Sequence, residues 1–318
     1  MTAAFFVLAH PFLESAYGAG TAIAVVSGLV GYLVVLRGQV FAGDALSHVA
    51  FTGALAALAF GVDLRLGLYG GCVAFALLLA VLGRQQGPDD TVIGSVFAWV
   101  LGLGALFLSL FTTSSTGVGG SGGTTGVSVL FGSILGLSGG QALADTVISL
   151  AVAATVVAMA RPLVFASLDP AVARSRGVPV RALSIGFFVL LGVTAGVATQ
   201  AVGALLLLGL LAAPAGAAQR LTARPFRAMW LSAAFALASM WIGLTVAYLV
   251  PTVPPSFGII GTATAVYLGT FAWTGLSRRW ESMVHRGTDR APADVIFGSP
   301  FVSGPSPIQA SGITRPTP

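Results

Sequence analysis

An all-α bundle that crosses a membrane about nine times, with eight to ten as the range the pattern allows, is the fold class the sequence predicts. Three observations predict it. Of 318 residues, 56% are hydrophobic and 8% are charged, whereas a soluble domain carries about 25% charged residues. Apolar stretches near the ~20 residues needed to cross hydrocarbon recur between short polar breaks. Glycine contributes 42 residues, well above the usual ~7%, and in membrane helices glycine permits close approach.

The spans fall near residues 17–36, 40–60, 66–83, 93–111, 143–160, 182–199, 201–218, 229–250 and 257–276. The run over 182–218 is uncharged and long enough for two helices, with Thr199-Gln200 as the expected turn. Val127 to Leu137 is too short to span and reads as a re-entrant or interfacial helix. Arginine placement orients the map. With the N-terminus outside and the C-terminus inside, Arg37, Arg84, Arg161, Arg174, Arg176, Arg181, Arg220, Arg224, Arg227, Arg278 and Arg279 all fall inside and only Arg65 falls outside. The positive-inside rule favours that orientation over its inverse.

Three segments lie between or beyond the spans. Thr112 to Gly126 is a Gly/Ser/Thr linker on the outer side. The loop from Arg161 to Arg181 carries its own helix signal: Asp169 as N-cap, Pro170 in the first turn and Gly177 as the stop, which predicts about two turns over 170–176. Residues 1–276 thus form the transmembrane domain. Residues 277–318 are polar, contain six prolines and read as a disordered cytoplasmic tail.

Absences narrow the function. The chain has no lysine, so it has no Walker A motif to grip a nucleotide and no Schiff-base chemistry. One cysteine, Cys72, excludes internal disulfides and multi-cysteine metal sites. None of the three histidines, His10, His48 and His285, sits in HExxH. No basic stretch precedes the first apolar run, so a cleaved signal peptide is not indicated. The net charge of +5 reads as loop arginine orienting a bilayer protein, not as a nucleic-acid footprint. Gly119 to Gly123 matches G-x-S-x-G, but inside a glycine-rich linker the match reads as chance. Gly132/Gly136 and Gly192/Gly196 read as helix-packing pairs. His10 reads as interfacial, or as a first contact for an incoming metal. Asp145 reads as a helix N-terminal charge, and Pro214 as a kink.

Asp44 and His48, in GDALSH, are the unusual pair. Spaced i, i+4, they lie on one helix face in the second span. A carboxylate at the bilayer centre costs at least ~2.5–3.5 kcal/mol on insertion scales, and such residues usually face a cavity or an ion path. Carboxylate oxygen with imidazole nitrogen suits divalent first-row metals. The pair is either half of a metal path, completed by a two-fold related copy, or a hydrogen-bonded tie between two helices. A proton- or ion-coupled secondary transporter using Asp44 and His48 as a relay is the alternative function. An intramembrane hydrolase would need paired carboxylates or a Ser/His constellation, and the spans show none.

GLVGYLVVLRGQVFAGDALSHVAFTGALAA resembles the opening signature of the membrane permeases of zinc/manganese/iron-type ABC importers. LFGSILGL at 130–137, DPAVARSRG at 169–177 and AVGALLLLGLLAAPAGAA at 201–218 are similar to further motifs of that family, in the same order. The resemblance spans roughly residues 10–276. It implies a non-enzymatic permease of the cytoplasmic membrane that carries a divalent metal as cargo and holds no permanent cofactor. Implied partners are cytoplasmic ATPase subunits, an external metal-binding lipoprotein and a second permease copy, as a homodimer or a close relative. Asp44 and His48 occupy the family's intramembrane metal positions. Asp169, Ala173 and Gly177 fit its coupling-helix pattern. Thr52-Gly53 departs from the Pro-Gly common there.

Overall fold

The computed structural model describes residues 11–83, 90–114 and 129–288, and within them the chain is helical without strands. In order the helices are α1 (Pro11–Leu36), α2 (Val40–Ala59), α3 (Leu64–Leu82), α4 (Asp90–Ser114), α5 (Gly139–Ala158), α6 (Ala160–Leu168), α7 (Pro170–Ser175), α8 (Val180–Val202), α9 (Leu207–Leu221), α10 (Pro225–Leu249) and α11 (Pro255–Thr288). Local chemistry sets their starts. The Asp63 carboxylate accepts from the Arg65 backbone N–H at 2.8 Å, Ser138 and Gln141 form a reciprocal capping box, and Pro225 opens α10.

Among these, α1 and α8 are central. α1 packs against α5, α8, α9 and α10, while α8 packs against α1, α2, α3 and α5. Their buried faces carry Ile23, Leu29 and Leu33 on one and Phe187, Phe188 and Leu191 on the other. Small residues set the spacing, as van der Waals packing in lipid requires. A Cβ at Gly28 would lie 2.5 Å from the Ala233 Cα, and the Ser232 hydroxyl donates to the Gly28 carbonyl at 2.7 Å. Gly31 abuts the Leu211 carbonyl in the same way. α4 lies at the edge, packs chiefly on α2, and exposes Trp99, Leu101 and Leu106.

Side-chain contacts sort the connections to two ends. At one, Arg37 meets Ser167 and Phe187. At the other, Arg65 meets Asp145 and Gln200, and Ser256 donates to the Phe131 carbonyl.

Among the described residues, eight helices are long and apolar enough to span, at the lower bound of the expected range. The expected ninth, at 201–218, is α9, a helix of 15 residues and so about 22 Å long. It runs beside α11 in the same direction, with Gly209 against Ile260 and Gly216 against Tyr267. The break before it falls at 203–206, not at Thr199-Gln200, because Gly203 adopts φ +95°, a region open to glycine.

Residues 129–131 are helical, and the helix stops before Gly132. Gly132 adopts φ +73°, and the described turn is a 3-10 turn at Ile134–Gly136. The segment lies along the α8–α9 break instead: the Ala204 and Leu205 N–H groups donate to Val129 and Leu130, and the Ser133 N–H donates to Gln200. Gly132 and Gly136 therefore do not share one helix, although Gly132 packs closely on the backbone of 201–203, and Gly192 packs closely on the Cys72 carbonyl and Ala76. Pro214 is buried inside α9.

The bundle forms one unit to Gly275 and residues 276–318 a second. α11 continues to Thr288, past the expected start of a disordered tail at 277, because no proline or glycine interrupts 277–286. Residues 289–318, His10, the G-x-S-x-G match and most of the 112–126 linker lie outside the described residues, as does the side chain of His285.

Candidate functional site

The site begins at the corner between α1 and α2. The Gly38 N–H donates to Val35 and the Gln39 N–H to Val34, at 3.2 and 2.9 Å, with Gly38 at φ +67°. That is a Schellman-type stop, which satisfies the last carbonyls of α1 and lets α2 start at once. Asp44 follows one turn after Val40 and His48 one turn later.

Both side chains are half-buried, on a stripe with Phe41 and Phe51. Ala42, Gly43, Ala45, Leu46, Ser47, Val49 and Ala50 face inward. α4 borders the stripe. The His48 ring lies 5.4 Å from the Phe97 ring, and Phe41 meets Phe97 edge-on at 6.1 Å. The Thr52 hydroxyl donates to the Val100 carbonyl at 3.3 Å, so Thr52 ties α2 to α4. Among the described residues, neither the Asp44 carboxylate nor the His48 ring hydrogen-bonds to another helix. No group of three or more His, Cys, Asp or Glu side chains gathers within the described chain. The described chain thus presents one carboxylate and one imidazole on a half-buried stripe, the imidazole packed on Phe97 of α4.

The predicted helix at 170–176 is α7. The Asp169 carboxylate caps it, accepting from the Ala171 and Val172 N–H groups at 3.1 and 2.9 Å. Gly177 ends it at φ +77°. Ala173 is fully buried against the bundle, whereas Ala171, Val172, Arg174 and Ser175 are exposed. Ala173 seats the helix, and Asp169 and Gly177 shape it.

Two charged groups had partners that the linear pattern does not reveal. Arg37, the last residue before the corner, points its Nε at the Ser167 hydroxyl, 2.8 Å away, and lies 4.3 Å over the Phe187 ring. Burial pushes its guanidinium down to about 10, which leaves it charged at neutral pH. Asp145 is not a solvated N-terminal charge. It is wholly buried and pairs with Arg65 at 3.4 Å, accepts from the Tyr69 hydroxyl at 2.9 Å, and shares both partners with Gln200. The only sequence signal for this cluster is Arg65, the one arginine on the minority side.

Comparison with known proteins covers most of the chain. The ABC 3 transport family matches residues 9–274. A manganese transport system membrane protein MntC of Listeria innocua is 28% identical over 244 residues, covering 76% of this chain and 84% of the relative. A manganese import system permease protein ScaB of Streptococcus pneumoniae is 30% identical over 237 residues, covering 74% and 82%. The solved structure of PsaBC from Streptococcus pneumoniae in complex with Fab superposes with a TM-score of 0.72 at 25% identity, covering 85% of this chain and 95% of that one.

Proposed function

Because the chain belongs to the ABC 3 transport family, we propose that it is the permease subunit of an importer for a divalent transition-metal cation. Separate ATPase subunits drive it. The relatives' names support manganese as the cargo, and an oxygen/nitrogen donor set admits zinc and iron as well. The metal is cargo, and the permease needs no resident cofactor and catalyses no reaction itself.

The observation that carries this reading is the placement of Asp44 and His48 on one half-buried stripe of α2, with no hydrogen-bonding partner on another helix among the described residues. Two copies with these stripes face to face assemble up to two carboxylates and two imidazoles, enough for a tetrahedral or incomplete octahedral set. A second permease copy is therefore part of the site. The arginine-rich end, with α7, faces the cytoplasm and its ATPase. The end holding Arg65 and Asp145 faces outward, where a metal-binding lipoprotein delivers the ion. This orientation puts the N-terminus outside and the C-terminus inside a cytoplasmic membrane. The family match supports ATP drive over the ion-coupled relay.

The test is uptake of radioactive manganese into vesicles that hold the chain with its ATPase. Asp44→Asn and His48→Ala each abolish or strongly slow uptake while assembly and ATPase docking persist. Parental uptake by both variants at normal expression overturns the site.

A further inference from the structure

The corner that launches α2 is bolted to the segment that launches α7. Arg37 is the last residue of the α1 stop, with its backbone N–H donating to Leu33 at 3.0 Å. Its guanidinium leaves α1 sideways and reaches Ser167, 130 residues away in sequence. Ser167 is itself held, since its hydroxyl donates to the Leu163 carbonyl at 2.5 Å. Two residues later comes Asp169, the N-cap of α7. The other face of the guanidinium rests on Phe187 of α8, and α8 also contacts both α6 and α7. On the α2 side, the Gly43 N–H donates to the Gln39 carbonyl at 3.2 Å, so helical bonding runs unbroken from the corner to Asp44. A cavity of about 90 Å³, lined by Arg37, Ser167, Pro170, Val180 and Ser184 among others, lies between the two segments. The packing there is open enough for the parts to shift without overpacking.

We infer that Arg37 is the positioning residue that carries movement of α7 to the Asp44/His48 helix, through Ser167 at one end and the α1–α2 corner at the other. The inference rests on the importer reading above, and it adds the route by which an ATPase acting on α7 reaches the metal pair. Three features suit Arg37 to this task. Its Nε–H donates to a hydroxyl while its plane lies over an aromatic ring, which a lysine ammonium does not reproduce. Backbone hydrogen bonds run from the Schellman-type corner into α2, so displacement of Arg37 is passed on to α2. The distance along α2 from Val40 to Asp44 is one helical turn, about 6 Å.

The experiment uses the full permease–ATPase complex in vesicles and reads manganese uptake and ATP hydrolysis side by side for the parent, Arg37→Gln, Arg37→Lys and Ser167→Ala. The expected result is a fall in metal moved per ATP on the order of tenfold for Arg37→Gln, inside the usual range for coupling between sites. Ser167→Ala and Arg37→Lys fall between it and the parent, with ATPase docking intact in all. An unchanged ratio in all three variants, with uptake and hydrolysis either normal or reduced together, makes Arg37 a brace for the fold and overturns the inference.

A second arm needs no cargo. A fluorophore on Phe41→Cys, in a Cys72→Ser background, reports on the first turn of α2. Trapping the ATPase with vanadate shifts the signal when Arg37 is present and leaves it unshifted in Arg37→Gln. The same shift in both proteins, or none in either, overturns the inference. A parent complex that hydrolyses ATP and shifts the label but carries no divalent metal overturns the cargo reading instead.

Discussion

Arg65 on α3 and Asp145 on α5 lie 80 residues apart in sequence and meet at 3.4 Å, with Tyr69 and Gln200 closing the ring around them. The carboxylate is shut away from solvent while the guanidinium is about one-fifth exposed. α3 and α5 each pack on α8, so this polar ring is the bridge between them.

Removing one side of that bridge leaves the other uncompensated. Asp145→Ala removes the acceptor of the Tyr69 hydroxyl and the counter-charge of Arg65, leaving Gln200 as their shared partner, and breaking a buried pair this way costs about 3 kcal/mol. Asp145→Asn keeps an acceptor for Tyr69 and costs about 1–2 kcal/mol. Thermal unfolding in detergent ranks parent, Asn and Ala in falling order. Equal melting of all three rejects the bridge.

Gly28 sits against the backbone of α10, with the Cβ of any replacement 2.5 Å from the Ala233 Cα. Backbone cannot rotate away, so Gly28→Ala separates α1 from α10 and costs about 1–3 kcal/mol. Gly261→Ala meets no atom within 4 Å and gains up to about 1 kcal/mol of helix propensity. Opposite shifts in melting temperature check the pair.

Exposed and buried positions of α7 separate docking from seating. Val172 is 42% exposed and Ala173 fully buried. Val172→Glu leaves the melting temperature within about 1 °C, since exposed substitutions stay within roughly 0.5 kcal/mol, yet loses the ATPase in co-purification. Ala173→Glu buries an unpaired carboxylate and lowers the melting temperature as well.

Orientation is read by thiol labelling in a Cys72→Ser background. Thr252→Cys lies in the connection at the Arg65 end and Ser175→Cys at the Arg37 end, both exposed. An impermeant reagent applied to intact cells labels the first. The second labels only after the membrane is opened. The reverse pattern rejects the topology.

Helix positions were legible because apolar length, prolines and capping side chains are local signals. Asp169, Pro170 and Gly177 place α7 to within a residue of its observed end. The i, i+4 spacing likewise put Asp44 and His48 on one face. Contacts between distant segments were not legible. Nothing near Arg37 in the sequence names Ser167 or Phe187, and nothing near Asp145 names Tyr69. The α8–α9 break was misplaced because Thr199-Gln200 is the more polar pair. Gly203 can adopt φ +95°, and the pairing of residues 129–133 with 200–205 decides where the helix opens. The inward aspect of Ala173 likewise depends on the bundle it packs against, not on α7 itself.

The edge position of α4 makes it a leaf on a single hinge line. Its main support is α2, through the Phe97 and Val100 contacts to Phe41, His48 and Thr52. The close-packed α1–α8–α10 centre bears little of its load. Amide exchange should therefore release α4 earlier than α1 or α8, since segments with few buried apolar contacts open at lower free energy. Each such excursion strips the Phe97 ring from His48 and leaves the imidazole uncovered, while the seam between α1 and α10 stays closed.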